Sequence, residues 1–248
     1  MADIPNREAL EAELAKLIGK YNRKELSALM EILILSPSIA SVPPEFWKQS
    51  AQSLVSILMP FSEAVFMASA ENMLTGFPVG VDWALINQSA ADWARSYSTL
   101  LAGQINSTSR SAVAKGINNA VAAFFEEGLT IDEMVARMEA DPELAKLFTK
   151  DVRDRLGRVF GPHRAEMIAQ TEVTRAQMQG EVATADELRR QGVDMVAVWY
   201  TSNDEIVCPI CGPRHEKKQG DGWFVAEPAH PRCRCRIEHE FVKEPARG

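Results

Sequence analysis

All four cysteines of this 248-residue chain fall between residues 208 and 235, and none precedes them. They stand as Cys208-Pro209-Ile210-Cys211-Gly212 and, with a histidine, as His230-Pro231-Arg232-Cys233-Arg234-Cys235. A C-x-x-C pair can set two thiolates on one tetrahedral ion, and the second block offers three further donors. The separation of the two blocks is close to that of known zinc modules. Five candidates therefore compete for four positions. Cys208, Cys211 and Cys233 are expected to bind, while His230 and Cys235 contest the fourth place, which spacing alone leaves open. Gly212 is expected to let the backbone turn tightly around the sulfurs. Buried thiols without metal, or a disulfide pair, are the competing readings.

The expected zinc is structural. A segment this small and this charged, with Trp199, Trp223, Phe224 and Phe241 as its main large apolar residues, needs a staple that a metal can supply. Catalytic zinc needs an open position and a placed base. His215-Glu216 begins like H-E-x-x-H, but the closing position is Gln219, so that motif fails. There is also no P-loop, G-x-G-x-x-G or G-x-S-x-G. The chain is read as a non-enzyme.

Upstream of the cysteines the pattern is helical. Leu10, Leu14, Leu17 and Ile18, then Leu26, Leu29, Met30, Leu33 and Ile34, recur at helical spacing and predict a helix over 7–35. Prolines 37, 43 and 44 break it, and a second helix over 45–74 follows, kinked near Pro60. Gly76–Gly80 reads as a loop. A third helix over 81–105 carries Trp83, Ile86, Ala90, Trp93 and Tyr97 as core residues. Ser107 or Ser109 is expected to cap a further helix running to Glu127 and stopping at Gly128. Thr130-Ile131-Asp132-Glu133 is a capping box opening a helix to about Ala140. Asp141-Pro142 starts the next, and a long helix is expected from Arg164 to Gln191. After Gly192 the period changes. Met195–Tyr200 predicts a strand, Ser202-Asn203-Asp204 a turn, and Trp223-Phe224-Val225 a second strand. Cys235, Ile237, His239 and Phe241 alternate with charged residues as one face of a last strand.

The predicted fold is mainly α: a helical body followed by a small C-terminal α+β zinc-binding module. The expected division is a helical region over 1–106, a second helical part over 107–192 and the strand-bearing module over 193–248. Net charge is −7, which argues against a protein coating nucleic acid through bulk positive charge. The acidity lies in the first 150 residues, whereas acidic and basic residues balance over 197–248. Arg232, Arg234 and Arg236 therefore remain candidate phosphate contacts, with a solvated surface as the other reading. No targeting segment is visible, and the longest charge-free apolar runs, Ile32–Pro44 and Gln49–Ser62, are too short to span a bilayer. A soluble protein without a membrane span is expected. Glu172 and Arg175, three residues apart, can pair on one helix face. That pair is either solvated or a polar contact docking the helix on the terminal module.

Several blocks together carry a family resemblance. They are Glu127-Gly128-Leu129-Thr130-Ile131-Asp132-Glu133, Ala165–Ala176 with its Thr171-Glu172-Val173-Thr174-Arg175 run, Trp199, Asp204–Cys211 and Pro228–Cys235. In this order they resemble the phage Mu F-like minor head protein family, also called the phage head morphogenesis family, over about Gly128 to Phe241. The family commonly has Arg before Thr-Glu, where this chain has Gln170, which weakens a charge role there and leaves the metal motif intact. The resemblance implies a minor capsid protein of a tailed phage. Its expected place is the capsid interior or portal vertex, in an oligomeric context, with host cytoplasm as its site during assembly. Portal protein, major capsid protein or both are the implied partners, with DNA as a further contact. Some relatives carry toxin domains after this module; none is expected in the residues after Cys235. A zinc-dependent nucleic-acid-binding protein and a metal-dependent hydrolase are the alternative functions.

Overall fold

In the computed structural model, residues 4–75, 80–124, 130–202 and 207–242 are described. The expected loop residues 76–79, the expected helix stop at Glu127 and Gly128, and the turn residues Asn203 and Asp204 lie outside them. Among the described residues there are six α-helices: α1 (Arg7–Leu35), α2 (Pro44–Leu74), α3 (Trp83–Phe124), α4 (Ile131–Ala140), α5 (Pro142–Phe160) and α6 (Pro162–Arg190). A three-stranded antiparallel sheet of β1 (Met195–Tyr200), β2 (Lys217–Lys218) and β3 (Arg236–Phe241) follows, in the order β2-β1-β3. The mainly helical prediction with a small C-terminal sheet matches this arrangement.

The chain divides into two compact units. One comprises Ala15–Ile57 and Ser98–Ala165, the other Met1–Leu14, Leu58–Tyr97 and Glu166–Gly248. The first unit is built on apolar stripes. Leu29, Met30 and Leu33 of α1, Val113, Ile117 and Ala120 of α3, Met134 and Met138 of α4, and Phe148, Val152, Leu156 and Phe160 of α5 form one buried cluster. The α5 residues recur every four positions, so they lie on one face. Local chemistry fixes where α4 and α5 begin. The Thr130 hydroxyl accepts from the Glu133 N–H at 3.3 Å, and a Glu133 carboxylate oxygen accepts from the Thr130 N–H at 2.7 Å. Asp141 caps α5 by accepting from the N–H groups of Glu143 and Leu144, each at 3.1 Å, with Pro142 in the first turn.

One helix boundary is corrected. The expected break near residue 106 is absent, and α3 runs unbroken through it. The Ser/Thr cluster that reads as a cap instead bonds the preceding turn. Thr108 donates to the Gln104 carbonyl at 2.8 Å and Ser109 to the Ile105 carbonyl at 2.7 Å. Mid-helix Ser and Thr have this second use, and sequence pattern alone does not separate it from capping.

The apolar-run reading missed one feature: α2 is long and apolar enough to cross a membrane by length and composition alone, a test that a packed core helix also passes. Counting charge-free runs misses it, because Glu63 splits its apolar stretch. Its side chains nonetheless form a packed face, with Ser50, Leu54, Leu58, Ser62, Phe66, Ala70 and Met73 buried.

The second unit is organised around α6. A Cβ on Gly180 would lie 2.3 Å from the Phe66 carbonyl oxygen and 3.0 Å from Ser69 Cβ, so only glycine lets α6 approach α2 this closely. Ser69 strengthens the crossing by donating to the Gln177 carbonyl at 2.8 Å. β1 pairs with β3 from Met195↔Phe241 to Tyr200↔Arg236. The second strand departs from expectation. Trp223-Phe224-Val225 is not a strand, and its place against β1 is taken by Lys217-Lys218. Gly220 and Gly222 hold φ of 94° and 87° and turn the chain between them. Trp223 points inward and donates its indole N–H to the Lys217 carbonyl at 2.7 Å, while Phe224 and Val225 face outward. On β3, Ile237 and His239 are buried as the alternation requires, but Phe241 is exposed.

Candidate metal centre

β1 and β3 bring the two cysteine blocks to one end of the sheet. Trp199 and Trp223 meet edge to face at 5.4 Å and are both buried. Around them pack Met178, Ala197, Ile237, Cys211, Cys233 and Cys235. The first block is a tight turn: the N–H groups of Cys211 and Gly212 both donate to the Cys208 carbonyl, at 3.1 and 3.0 Å. The Cys211 N–H also faces the Cys208 sulfur at 3.4 Å. Gly212 is not in the left-handed region, and a Cβ there would meet only the Val207 side chain at 3.8 Å. The expected need for glycine at this position is therefore not borne out.

The donor atoms converge. His230 Nε2 lies 3.0 Å from Cys208 Sγ and 3.3 Å from Cys211 Sγ, and Cys211 Sγ lies 3.9 Å from Cys233 Sγ. Cys208, Cys211 and His230 place their donor atoms within 4.8 Å of one another, as do Cys211, Cys233 and Cys235. A tetrahedral ion with zinc-like bond lengths needs its ligand atoms about 3.5 to 3.8 Å apart, and the observed separations of 3.0 to 3.9 Å bracket that range. The histidine is oriented for the task. Its Nδ1 bonds the Pro231 carbonyl at 2.7 Å, which leaves the Nε2 lone pair facing the sulfurs, the tautomer that metal-binding histidines use. All five expected donors are thus gathered in two overlapping triads sharing Cys211.

The electrostatics explain why the cluster suits a cation. Hydrogen bonds from the Cys211 and Cys235 thiols draw Cys233 down to about 2. Hydrogen bonds with Cys233 and Cys235, together with burial, push Cys211 far above the ordinary thiol range. Cys235 is lowered by Cys211, but Cys233 and burial outweigh this and push it up to about 11. The sulfurs crowd one another so closely that one negative charge raises the cost of the next. For Cys208, burial works against the thiolate, but the Cys211 and Ile210 N–H groups and His230 bring it below its usual range. For His230, burial disfavours the proton, and the Pro231 carbonyl with the Cys233 and Cys208 charges raises it nonetheless. A divalent cation relieves this competition by accepting several thiolates at once.

A partly buried polar network surrounds Glu172. Tyr97 donates to Glu172 at 2.8 Å, Arg175 approaches the same carboxylate at 3.4 Å, and Arg175 also reaches Glu227 at 2.7 Å. The Arg175 guanidinium stacks over the Tyr97 ring at 5.1 Å, and that ring stacks on Trp93. Glu172 is buried, and burial is the chief reason its carboxyl is raised above the usual range. The expected Glu172–Arg175 pair thus sits inside the unit rather than on its surface. Arg232 and Arg234 line one cavity with Cys208, Cys211, His230 and Cys235, while Arg236 stands apart and bonds Glu238 at 2.9 Å. Sequence reasoning passed over Thr171 and Thr174, whose hydroxyls reach the backbone of Arg232 and Cys233. It also passed over Tyr97 as a hydrogen-bond donor. The only available signal was the run of polar residues at helical spacing on α6.

Comparison with known proteins bears on this part of the chain. The family model described as phage Mu protein F like protein matches residues 115–238, which span the end of α3 to the first half of β3. No curated protein and no solved structure matches the chain.

Proposed function

The chain belongs to the phage Mu protein F like family, a family of phage head morphogenesis, and from that premise we propose that it is a minor capsid protein working at the portal or inside the prohead. The match over residues 115–238 carries this reading. The role is structural: the helices offer surfaces to portal or major capsid protein, and the C-terminal module is locked by zinc. In this reading 107–192 and 193–248 form the part shared with the family, and 1–106 supplies surface particular to this chain. Assembly takes place in host cytoplasm, and the protein stays with the virion and accompanies DNA delivery.

Zinc is held by Cys208, Cys211, Cys233 and His230. The fourth place goes to His230 because its Nε2 meets two of the sulfurs while Nδ1 is committed to Pro231. Cys235 remains a neighbouring buried thiol. Zinc bound here supplies cross-linking and charge compensation, with no chemistry on a substrate.

The test is recovery of the tagged intact chain from phage-infected cells, with proheads separated by size. Portal or coat protein should co-purify with the chain, and the chain should co-sediment with proheads. A chain that sediments alone and brings down neither protein would sink the assembly reading.

A further inference from the structure

We propose that one polar face of α6, formed by Thr171, Thr174, Arg175 and Gln179 and backed by Arg7 of α1, positions the loop that presents His230 and Cys233 to the metal; this rests on the zinc reading above. The loop runs from Ala226 to Arg234 and contains no regular secondary structure. A loop of this kind does not hold a ligand in place by itself, and its backbone polar groups need partners.

Those partners come from α6 on both sides of His230. Gln179 Nε2 donates to the Ala226 carbonyl at 3.1 Å, and Arg175 reaches the Glu227 carboxylate at 2.7 Å. Beyond His230, the Arg232 N–H donates to Thr171 Oγ1 at 2.9 Å. Thr174 Oγ1 donates to the Cys233 carbonyl at 2.6 Å. Positions 171, 174, 175 and 179 are three and four residues apart, so they lie on one helix face.

Proton accounting supports the directions. The Thr171 hydroxyl proton goes to the Met167 carbonyl at 2.7 Å, which leaves an oxygen lone pair for Arg232. Thr174 has a single proton and two carbonyls within reach, Gln170 at 3.0 Å and Cys233 at 2.6 Å; the nearer one is the ligand residue. Buried Arg7 donates into the same Thr174 oxygen and reaches the Arg234 carbonyl at 3.5 Å. Donation into a hydroxyl strengthens the bond that the hydroxyl gives onward.

Thr171 meets the loop at its least favourable residue. Arg232 holds φ of 63°, in the left-handed region that a side chain disfavours. It stands between His230 and Cys233, and this turn lets the Cys233 N–H bond the His230 carbonyl at 3.2 Å. Neither threonine touches a donor atom of the cluster. Both act through the backbone, as positioning residues.

The experiment uses the full chain, with zinc as the only ligand, titrated against a chromophoric chelator. The proteins are the wild type, Thr171→Val, Thr174→Val, Thr174→Ser and Thr108→Val. Thr108 bonds only its own helix and controls for loss of a hydroxyl in a helix. Loss of an outer partner typically weakens metal binding about 10- to 100-fold. Thr171→Val and Thr174→Val should each bind zinc at least about tenfold more weakly, and Thr174→Ser and Thr108→Val should match the wild type. Equal affinity in the two positioning variants would overturn the inference while leaving the zinc site standing. If Thr174→Val does not fold, Thr171→Val decides. Failure of the wild type itself to bind zinc removes the zinc reading and this inference with it, and is seen without any variant.

Discussion

The two units bury their interiors by different means. In the unit of Ala15–Ile57 and Ser98–Ala165, α5 alone commits Phe148, Val152, Leu156 and Phe160 to a large apolar cluster shared with α1, α3 and α4. In the C-terminal module, three of the eight buried cluster members are cysteines, beside two tryptophans. The first kind of core is spread over many side chains, so losing one leaves the rest in place. In the zinc reading the second concentrates its cohesion in a few donor atoms, so losing one removes the cross-link. Small modules with little apolar area need such a device.

The largest expected effect tests this contrast directly. Cys211 belongs to both donor triads, so Cys211→Ser should abolish zinc retention. In small zinc modules the ion contributes on the order of 10 kcal/mol to folding. The module should therefore unfold, read as a red-shifted emission of Trp199 and Trp223, while most helical circular dichroism survives. Metal analysis of the purified variant is the companion measurement. A variant that keeps zinc and native tryptophan emission would show that the module is held by ordinary packing.

The apolar core should respond otherwise. Leu156 is fully buried, and a Cβ on Gly116 would lie only 3.1 Å from its methyl. Leu156→Ala should cost about 2–5 kcal/mol, measured as a shift of the denaturant midpoint, with zinc content unchanged. Loss of zinc from this variant would mean that the two cores are not energetically separate.

What could be read in advance divides along the same line. The bounds of α1, α4 and β1 and the start of α5 were legible because caps and apolar period act locally, as Thr130, Asp141 and the α1 stripe illustrate. The gathering of the five candidate donors was legible because ligand chemistry requires particular residue types at short spacing. The continuity of α3 was not, since a serine hydroxyl caps a helix or bonds back into one according to its tertiary setting. Nor was β2: Lys217-Lys218 carries no apolar signal and becomes a strand only by pairing with β1. Thr171 and Thr174 were hidden for a similar reason. Their partners are backbone groups about 60 residues away, and no local pattern announces a backbone acceptor.

A third effect comes from the sheet. His239 on β3 is buried, its Nδ1 finds no hydrogen-bond partner, and burial, with Arg189 nearby, pushes it down to about 4 from the usual 6.5. The folded state thus keeps the ring neutral while the unfolded chain takes up a proton. Stability is fully present above pH 6.5 and declines as pH falls toward 4, by about 3 kcal/mol in total. His239→Gln should flatten this part of the profile. The readout is the difference between variant and wild-type unfolding free energies at several pH values, which cancels proton uptake by the cysteine cluster. Parallel profiles would remove His239 as the source.

The smallest effect lies at the start of α4, where the apolar unit also uses polar chemistry, but at the surface. Thr130 and Glu133 satisfy each other's backbone N–H groups. Thr130→Ala should cost about 1 kcal/mol, the usual value of an N-cap. Unlike the cysteine cluster, this contact ends one helix rather than closing a core, so its loss should fray α4 locally. Faster amide exchange confined to the first turn of α4, with Phe148 and Leu156 on α5 still protected, is the expected pattern. Acid should act in the same direction. The Thr130 N–H and hydroxyl hold the Glu133 carboxyl below its usual range, so the cap is intact above about pH 4.5 and weakens as pH falls through the folded value. Protection lost across the whole apolar unit would show instead that the cap governs the core it borders, and the contrast between a distributed core and a concentrated one would no longer hold.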